Sequence, residues 1–269
     1  MESPPAGSAQ PSKASLVPPP SRVFAEHPGG EFAADSTAVL PPLTAAGPLS
    51  PLVVPTFRDA VVSVPLGATD HRPVVLALHG NYDRPEWQCE VWRAVTKGYA
   101  FVVCPRGIPR RDAPPGENRW TYGKPGDVRR EIDAALTALR VRFGDYVAAG
   151  PMVYAGFSLG AILGVGIVSG DAERFPRAVL IEGGHDNWSD ARAKSYAAQG
   201  GRRVLFACGQ RTCTTGTKAP SKLLGEAGVE TRSVFGGEVG HTYDGPVAAE
   251  ISGAFSWLVR DDLRWGGAR

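Results

Sequence analysis

The strongest constraint on this chain is a series of short, nearly unbroken apolar runs, each stopped by a turn. They lie at 74–78, 100–104, 152–155, 178–181 and 203–207, with weaker β-branched runs at 61–66 and 231–235. A strand with one wet face alternates apolar and polar residues; continuous runs mark strands covered on both faces, as in a parallel sheet. Helical patterns lie between them. Over 127–143, Val128, Ile132, Ala135, Leu136, Leu139 and Val141 form one stripe, with Asp127 placed to cap its start and Gly144 its end. A last helix is expected over 246–259. Strands alternating with helices predict an α/β fold, a mostly parallel central sheet flanked by helices on both faces.

Residues 51–269 are expected to form this one domain. Residues 1–50 are rich in Pro, Ser and Ala and hold too little apolar surface to order themselves, so they read as an extended or disordered tail. The tail's beginning has neither a basic stretch nor an apolar stretch of the signal-peptide kind. It is the sort of segment that tethers a secreted or envelope-associated domain, with a cytoplasmic leader as the alternative. A net charge of +2 argues against nucleic acid as a partner, and no apolar stretch is long enough to span a bilayer. Composition says nothing of oligomeric state. The four cysteines, Cys89, Cys104, Cys208 and Cys213, leave open a Cys208–Cys213 bridge or four buried thiols. Their spacing does not suggest a metal site, and no cofactor is expected.

The chemistry gathers at the ends of the apolar runs. Gly156-Phe157-Ser158-Leu159-Gly160 follows the run at 152–155 and precedes a helix of small residues. A serine on so tight a turn needs strained backbone and missing neighbouring side chains, which the glycines supply. The turn would expose Ser158 Oγ as a nucleophile and leave the Leu159 N–H at a helix start, ready to stabilise an oxyanion. His79-Gly80-Asn81 ends the earlier run at 74–78, where the N–H of Asn81 or Tyr82 would be the second oxyanion donor. His241 lies in a glycine-rich loop before the last helix, a position from which an imidazole can reach Ser158 as general base. The acid should follow a strand between these two residues. The turn after Phe206 reads Gly209-Gln210-Arg211-Thr212-Cys213 and has no carboxylate. One strand earlier stand Asp186, the first choice, and Glu182, the second. A Ser158–His241 pair without an acid stays open.

These motifs, in this order over roughly residues 60–260, resemble the α/β-hydrolase superfamily, and most of all compact serine esterases of the dienelactone-hydrolase or prolyl-oligopeptidase catalytic-domain kind. The resemblance implies a covalent acyl-enzyme route. Ser158 attacks a carbonyl, His241 carries the proton, and water releases the acid of a small-molecule ester or acyl substrate. The missing carboxylate after Phe206 departs from the family pattern. Tyr82, Trp87, Trp92, Trp120, Tyr122 and Trp188 fall near the expected catalytic edge. Trp87, Trp120 and Trp188 are the candidates for an aromatic substrate cleft, and the arginines of 105–126 are candidates for a solvated basic loop. A peptidase or acyltransferase would use the same residues, and a non-catalytic binding protein would have lost the acid.

Overall fold

The computed structural model of the protein describes residues 40–268. Most of the expected tail, 1–39, lies outside the described residues. The boundary drawn at residue 50 is corrected, because residues 40–50 belong to the folded body. The Leu40 and Leu43 amides donate to Thr69 O and Ala68 O, the Leu43 side chain is buried, and the first strand, β1 (Leu49–Leu52), has already begun.

The chain continues through β2 (Ala60–Ser63), β3 (Val74–Leu78), α1 (Pro85–Val95), β4 (Phe101–Cys104), β5 (Ile108–Pro109), β6 (Trp120–Thr121), α2 (Pro125–Phe143), β7 (Val153–Phe157) and α3 (Leu159–Ser169). It ends with β8 (Arg177–Ile181), α4 (Asp190–Ala198), β9 (Arg203–Cys208), α5 (Arg211–Gly216), α6 (Lys218–Glu226), β10 (Glu230–Phe235) and α7 (Gly245–Leu258). Eight strands form one sheet in the order β1-β2-β4-β3-β7-β8-β9-β10, antiparallel at the β1-β2-β4 edge and parallel from β4 onward. β5 and β6 pair separately, so part of the stretch 105–126 is a small hairpin rather than irregular loop.

The continuous apolar runs do what their pattern predicts: β3, β4, β7, β8 and β9 are buried at every position. Alternate side chains feed two cores. Val74, Leu76 and Leu78 pack with residues of α2, α3, α4 and α6, while Val75 and Ala77 pack with Trp92 of α1 and Ile251, Phe255 and Leu258 of α7. Helix α2 begins two residues before the expected cap, with Pro125 at its start and Asp127 in its first turn, where a carboxylate favours the positive end of the helix. Val141, placed on the apolar stripe of that helix, is exposed. Helices α1, α4, α5 and α6 are not among the expected elements. At the strands' N-terminal end, buried Arg177 and Arg203 pair with Asp261, Asp262 and Glu230. No helix among the described residues is long and apolar enough to cross a membrane.

Candidate active site

Three neighbouring strands, β3, β7 and β8, end at the same edge of the sheet, and each is followed within a few residues by a non-glycine residue with positive φ. These are Tyr82 (φ 63°), Ser158 (φ 50°) and Glu182 (φ 49°). Such backbone costs about 1–3 kcal/mol per residue and persists only where the surroundings enforce it. At Ser158 (φ 50°, ψ −111°) the chain turns straight from β7 into α3. The flanking glycines permit this turn. A Cβ on Gly156 would lie 2.6 Å from Gly160 C, and one on Gly160 would run into Leu78 O and sit 2.8 Å from His79 O. Ser158 Oγ makes no hydrogen bond among the described residues, and the serine amide donates to Ile181 O at 2.8 Å. That bond fixes the turn against the end of β8.

Glu182, the residue after Ile181, turns its side chain inward, and only 2% of it is exposed. Its Oε1 accepts from Gly209 N–H at 2.5 Å and its Oε2 lies 3.2 Å from His241 Nδ1. A buried carboxylate is costly without partners, and these two donors satisfy it. A carboxylate can only accept here, so Nδ1 carries the hydrogen and Nε2 keeps its lone pair free. The imidazole also packs on Phe157, next to Ser158, with ring centroids 4.9 Å apart.

The structure does not bring Asp186, the first choice of acid, to His241; it brings Glu182 there. Asp186 sits in a short 3-10 turn at 185–187, its side chain is 87% exposed, and it lies 3.4 Å from His185 Nε2. The chain leaves the sheet edge through Gly183 and Gly184, and Asp186 is carried out to solvent. The turn after β9, where no carboxylate stands, instead supplies the Gly209 amide that holds Glu182. Cys208 and Cys213 on either side of that turn form a disulfide, and Cys89–Cys104 form a second, so four buried thiols is not the outcome. Among the described residues, Glu182, Cys208 and Cys213 bring metal-ligating atoms within 4.8 Å of one another, but the sulfurs are bonded together and the carboxylate is engaged.

The turn after β3 comes against the serine: a Cβ on Gly80 would meet Phe157 Cδ1 at 2.8 Å and Ser158 Cβ at 3.3 Å. The Gly80 amide donates to Asp83 Oδ2 at 3.2 Å, whereas the amides of Leu159, Asn81 and Tyr82 have no hydrogen-bond partner among the described residues. His79 is buried and stacked on Tyr122, with its ring nitrogens 2.7 Å from Gly80 O and 3.0 Å from Arg106 O. Burial pushes its pKa down, which keeps the ring neutral.

The aromatic candidates separate. Trp188 is buried against Tyr196 in the core under α4, so its place in a substrate cleft is corrected. Trp120 is also buried; its backbone pairs with Asp83 and its indole lies under the Arg58 and Arg106 guanidiniums. Trp87 is 39% exposed, and Arg119 covers both it and Tyr82. Of the arginines of 105–126, Arg106, Arg110 and Arg119 are drawn into stacks on Trp120, Tyr82 and Trp87 and into ion pairs with Glu86, Asp112 and Glu117.

No family model matches this chain, and none of the curated proteins is similar to it. Solved structures do match. Esterase PE8 superposes with a TM-score of 0.54 at 15% identity, over 79% of this chain and 98% of its own. A Bacillus cereus carboxylesterase gives 0.53 at 17% identity, over 75% and 93%. The fold is that of the α/β-hydrolases. The Staphylococcus aureus fluorophosphonate-binding serine hydrolase FphF matches with a TM-score of 0.55 at 15% identity, over 80% of this chain and 100% of its own. At these identities the likeness carries the α/β-hydrolase architecture and leaves the chemistry to the residues of this chain.

Proposed function

We propose that this protein is a serine hydrolase that cleaves a carboxylic ester through an acyl-enzyme intermediate. Ser158 is the nucleophile, His241 the general base and Glu182 the acid that orients it. The observation that carries this reading is the buried Glu182 carboxylate, 3.2 Å from His241 Nδ1 and one residue beyond the strand to which Ser158 is bonded. Free His241 Nε2 accepts the Ser158 proton as Oγ attacks the carbonyl. The Leu159 amide, with that of Asn81 or Tyr82, receives the charge that develops on the carbonyl oxygen. The imidazolium returns the proton to the departing alkoxide. Water then repeats the sequence on the acyl group and releases the acid.

The rival reading as a non-catalytic binding protein drew on a missing carboxylate, and Glu182 supplies one. Trp87 and Tyr82 at the exposed rim are the side chains offered to a small acyl or leaving group. The two disulfides favour an oxidising compartment, in keeping with a secreted or envelope-associated protein.

Hydrolysis of short p-nitrophenyl esters by wild type and by Ser158→Ala tests the proposal. The variant is expected to lose several orders of magnitude in kcat. Equal rates in the two proteins would remove Ser158 from the chemistry.

A further inference from the structure

One buried charge in the site has no part in the proton transfers above. Asp83 lies just past the turn that follows β3, is nearly inaccessible, and is clamped by its own backbone to Trp120 (Asp83 N–H to Trp120 O at 3.3 Å, Trp120 N–H to Asp83 O at 2.9 Å). Its carboxylate collects three donors from three places. Oδ2 accepts the Gly80 amide at 3.2 Å; Oδ1 accepts the Arg84 amide at 2.7 Å and the Tyr243 hydroxyl at 3.1 Å. Tyr243 lies two residues beyond His241, on the same loop, and its buried ring packs on Phe157 with centroids 4.6 Å apart. Phe157 also carries the His241 imidazole and adjoins Ser158.

The three donors have different consequences. The Arg84 bond is local and belongs to the start of α1. The Gly80 bond takes that amide out of the set facing the serine and fixes the plane of the turn that presents Asn81 and Tyr82. The Tyr243 bond crosses 160 residues of sequence to the loop that carries the base. A single carboxylate thus joins the oxyanion side of the site to the base side, around the ring of Phe157. Burial, reinforced by the charge of Asp83, pushes the Tyr243 hydroxyl well above the ordinary tyrosine range, so it remains a donor.

We infer that Asp83 is a positioning residue which, through Tyr243, holds the oxyanion turn and the His241 loop in register; the inference rests on the serine-hydrolase reading proposed above. Transition-state donors act only when held in place, and a displacement of about 1 Å costs on the order of 100-fold in rate. A residue of this kind acts on turnover and leaves ground-state binding largely alone.

The test compares wild type, Ser158→Ala, Tyr243→Phe, Asp83→Asn and the Tyr243→Phe/Asp83→Asn pair. The readouts are kcat and KM on a p-nitrophenyl ester, the rate of fluorophosphonate labelling, and the melting temperature. Tyr243→Phe keeps the ring on Phe157 and removes only the hydroxyl, so it serves even where Asp83→Asn folds poorly. We expect Tyr243→Phe to lower kcat and the labelling rate about 10-fold, with KM within about twofold, and Asp83→Asn to lower them about 100-fold. The double variant should be little worse than Asp83→Asn alone, because both changes cut one link. If Ser158→Ala is inactive yet Tyr243→Phe keeps wild-type kcat and labelling and only melts earlier, the link is structural and the inference falls. If Ser158→Ala itself keeps the rate and the label, the hydrolase reading falls, and this inference with it.

Discussion

Replacing Glu182 by Gln is the sharpest test of how the base is held. The amide is nearly isosteric, and its oxygen can still accept from Gly209 N–H. What changes is the face toward His241. An NH2 group in place of Oε2 repels an Nδ1–H, so the imidazole is driven to carry its hydrogen on Nε2, where no proton can be accepted from Ser158. The variant also loses the charge opposite the imidazolium that forms during attack. At 3.2 Å and an effective dielectric of ~20, that attraction is about 5 kcal/mol. The His241 side chain is 48% exposed, so solvent screening reduces the useful part to about 3–4 kcal/mol. Each ~1.4 kcal/mol is tenfold, so kcat should fall about 100- to 1,000-fold with KM little changed. Asp186→Asn, at an 87% exposed side chain, should stay within about twofold of wild type. The assay is steady-state hydrolysis of a p-nitrophenyl ester, with melting temperatures to verify the fold. A Glu182→Gln enzyme within tenfold of wild type, or an Asp186→Asn enzyme as damaged as Glu182→Gln, would refute the assignment of Glu182.

Two further outcomes follow from the structure. Ser158 sits at φ 50°, a conformation glycine adopts freely, so Ser158→Gly should abolish hydrolysis yet stabilise the fold by about 1 kcal/mol, the relieved strain less the cost of glycine's flexibility; a calorimetric melt shows this as a rise of a few degrees, and a fall would contradict the strain argument. Burial works to raise the Asp261 carboxyl, but hydrogen bonds from Arg203 and Arg177 outweigh it and hold the group well below the usual carboxylate range. The stability it contributes is therefore complete above a pH of about 4 and lost as the pH falls below that, so the melting-temperature gap between wild type and Asp261→Asn should be widest near neutrality and close in acid; a gap independent of pH would show that the pairing contributes nothing.

The parts of the fold legible in the sequence are those where burial is total. Leu76 and Val102 have no polar neighbours within their strands, and only a two-sided core explains such runs. Helices whose burial is partial left no such mark. α4 buries only Ala193 and Tyr196 and α6 only Pro220 and Leu224, too few contacts to write a periodic stripe. β1 was hidden for a different reason. Pro51 sits within it, and a proline is tolerated there because β1 is the edge strand of the sheet. The hairpin of β5 and β6 is only two residues per strand, and it depends on the Asp83–Trp120 bridge and on Glu131 holding the Gly107 amide at 2.7 Å, contacts no local pattern announces.

The site shows the same division more sharply. Ser158 announces itself because strain at a serine has to be relieved by what stands around it, and Gly156 and Gly160 record that need in the chain. Glu182 also has a positive φ, but the groups that hold it come from far away: the Gly209 amide from the turn after β9 and the His241 ring from the loop before α7. The one local trace is Gly183-Gly184. A Cβ on Gly183 would lie 2.8 Å from Ser158 O, and one on Gly184 would lie 2.6 Å from Ala161 O, so these glycines let the turn after β8 press against the start of α3. The pair marks Glu182, immediately before it, as the residue at the sheet edge, and Asp186, two residues after it, as one already on the way out. Nearness to the sheet edge, measured from the end of the run at 178–181 or from the glycine pair, favours Glu182, one residue from each, over Asp186, which lies five and two residues away. By that criterion the order of the two candidates in this sequence reverses.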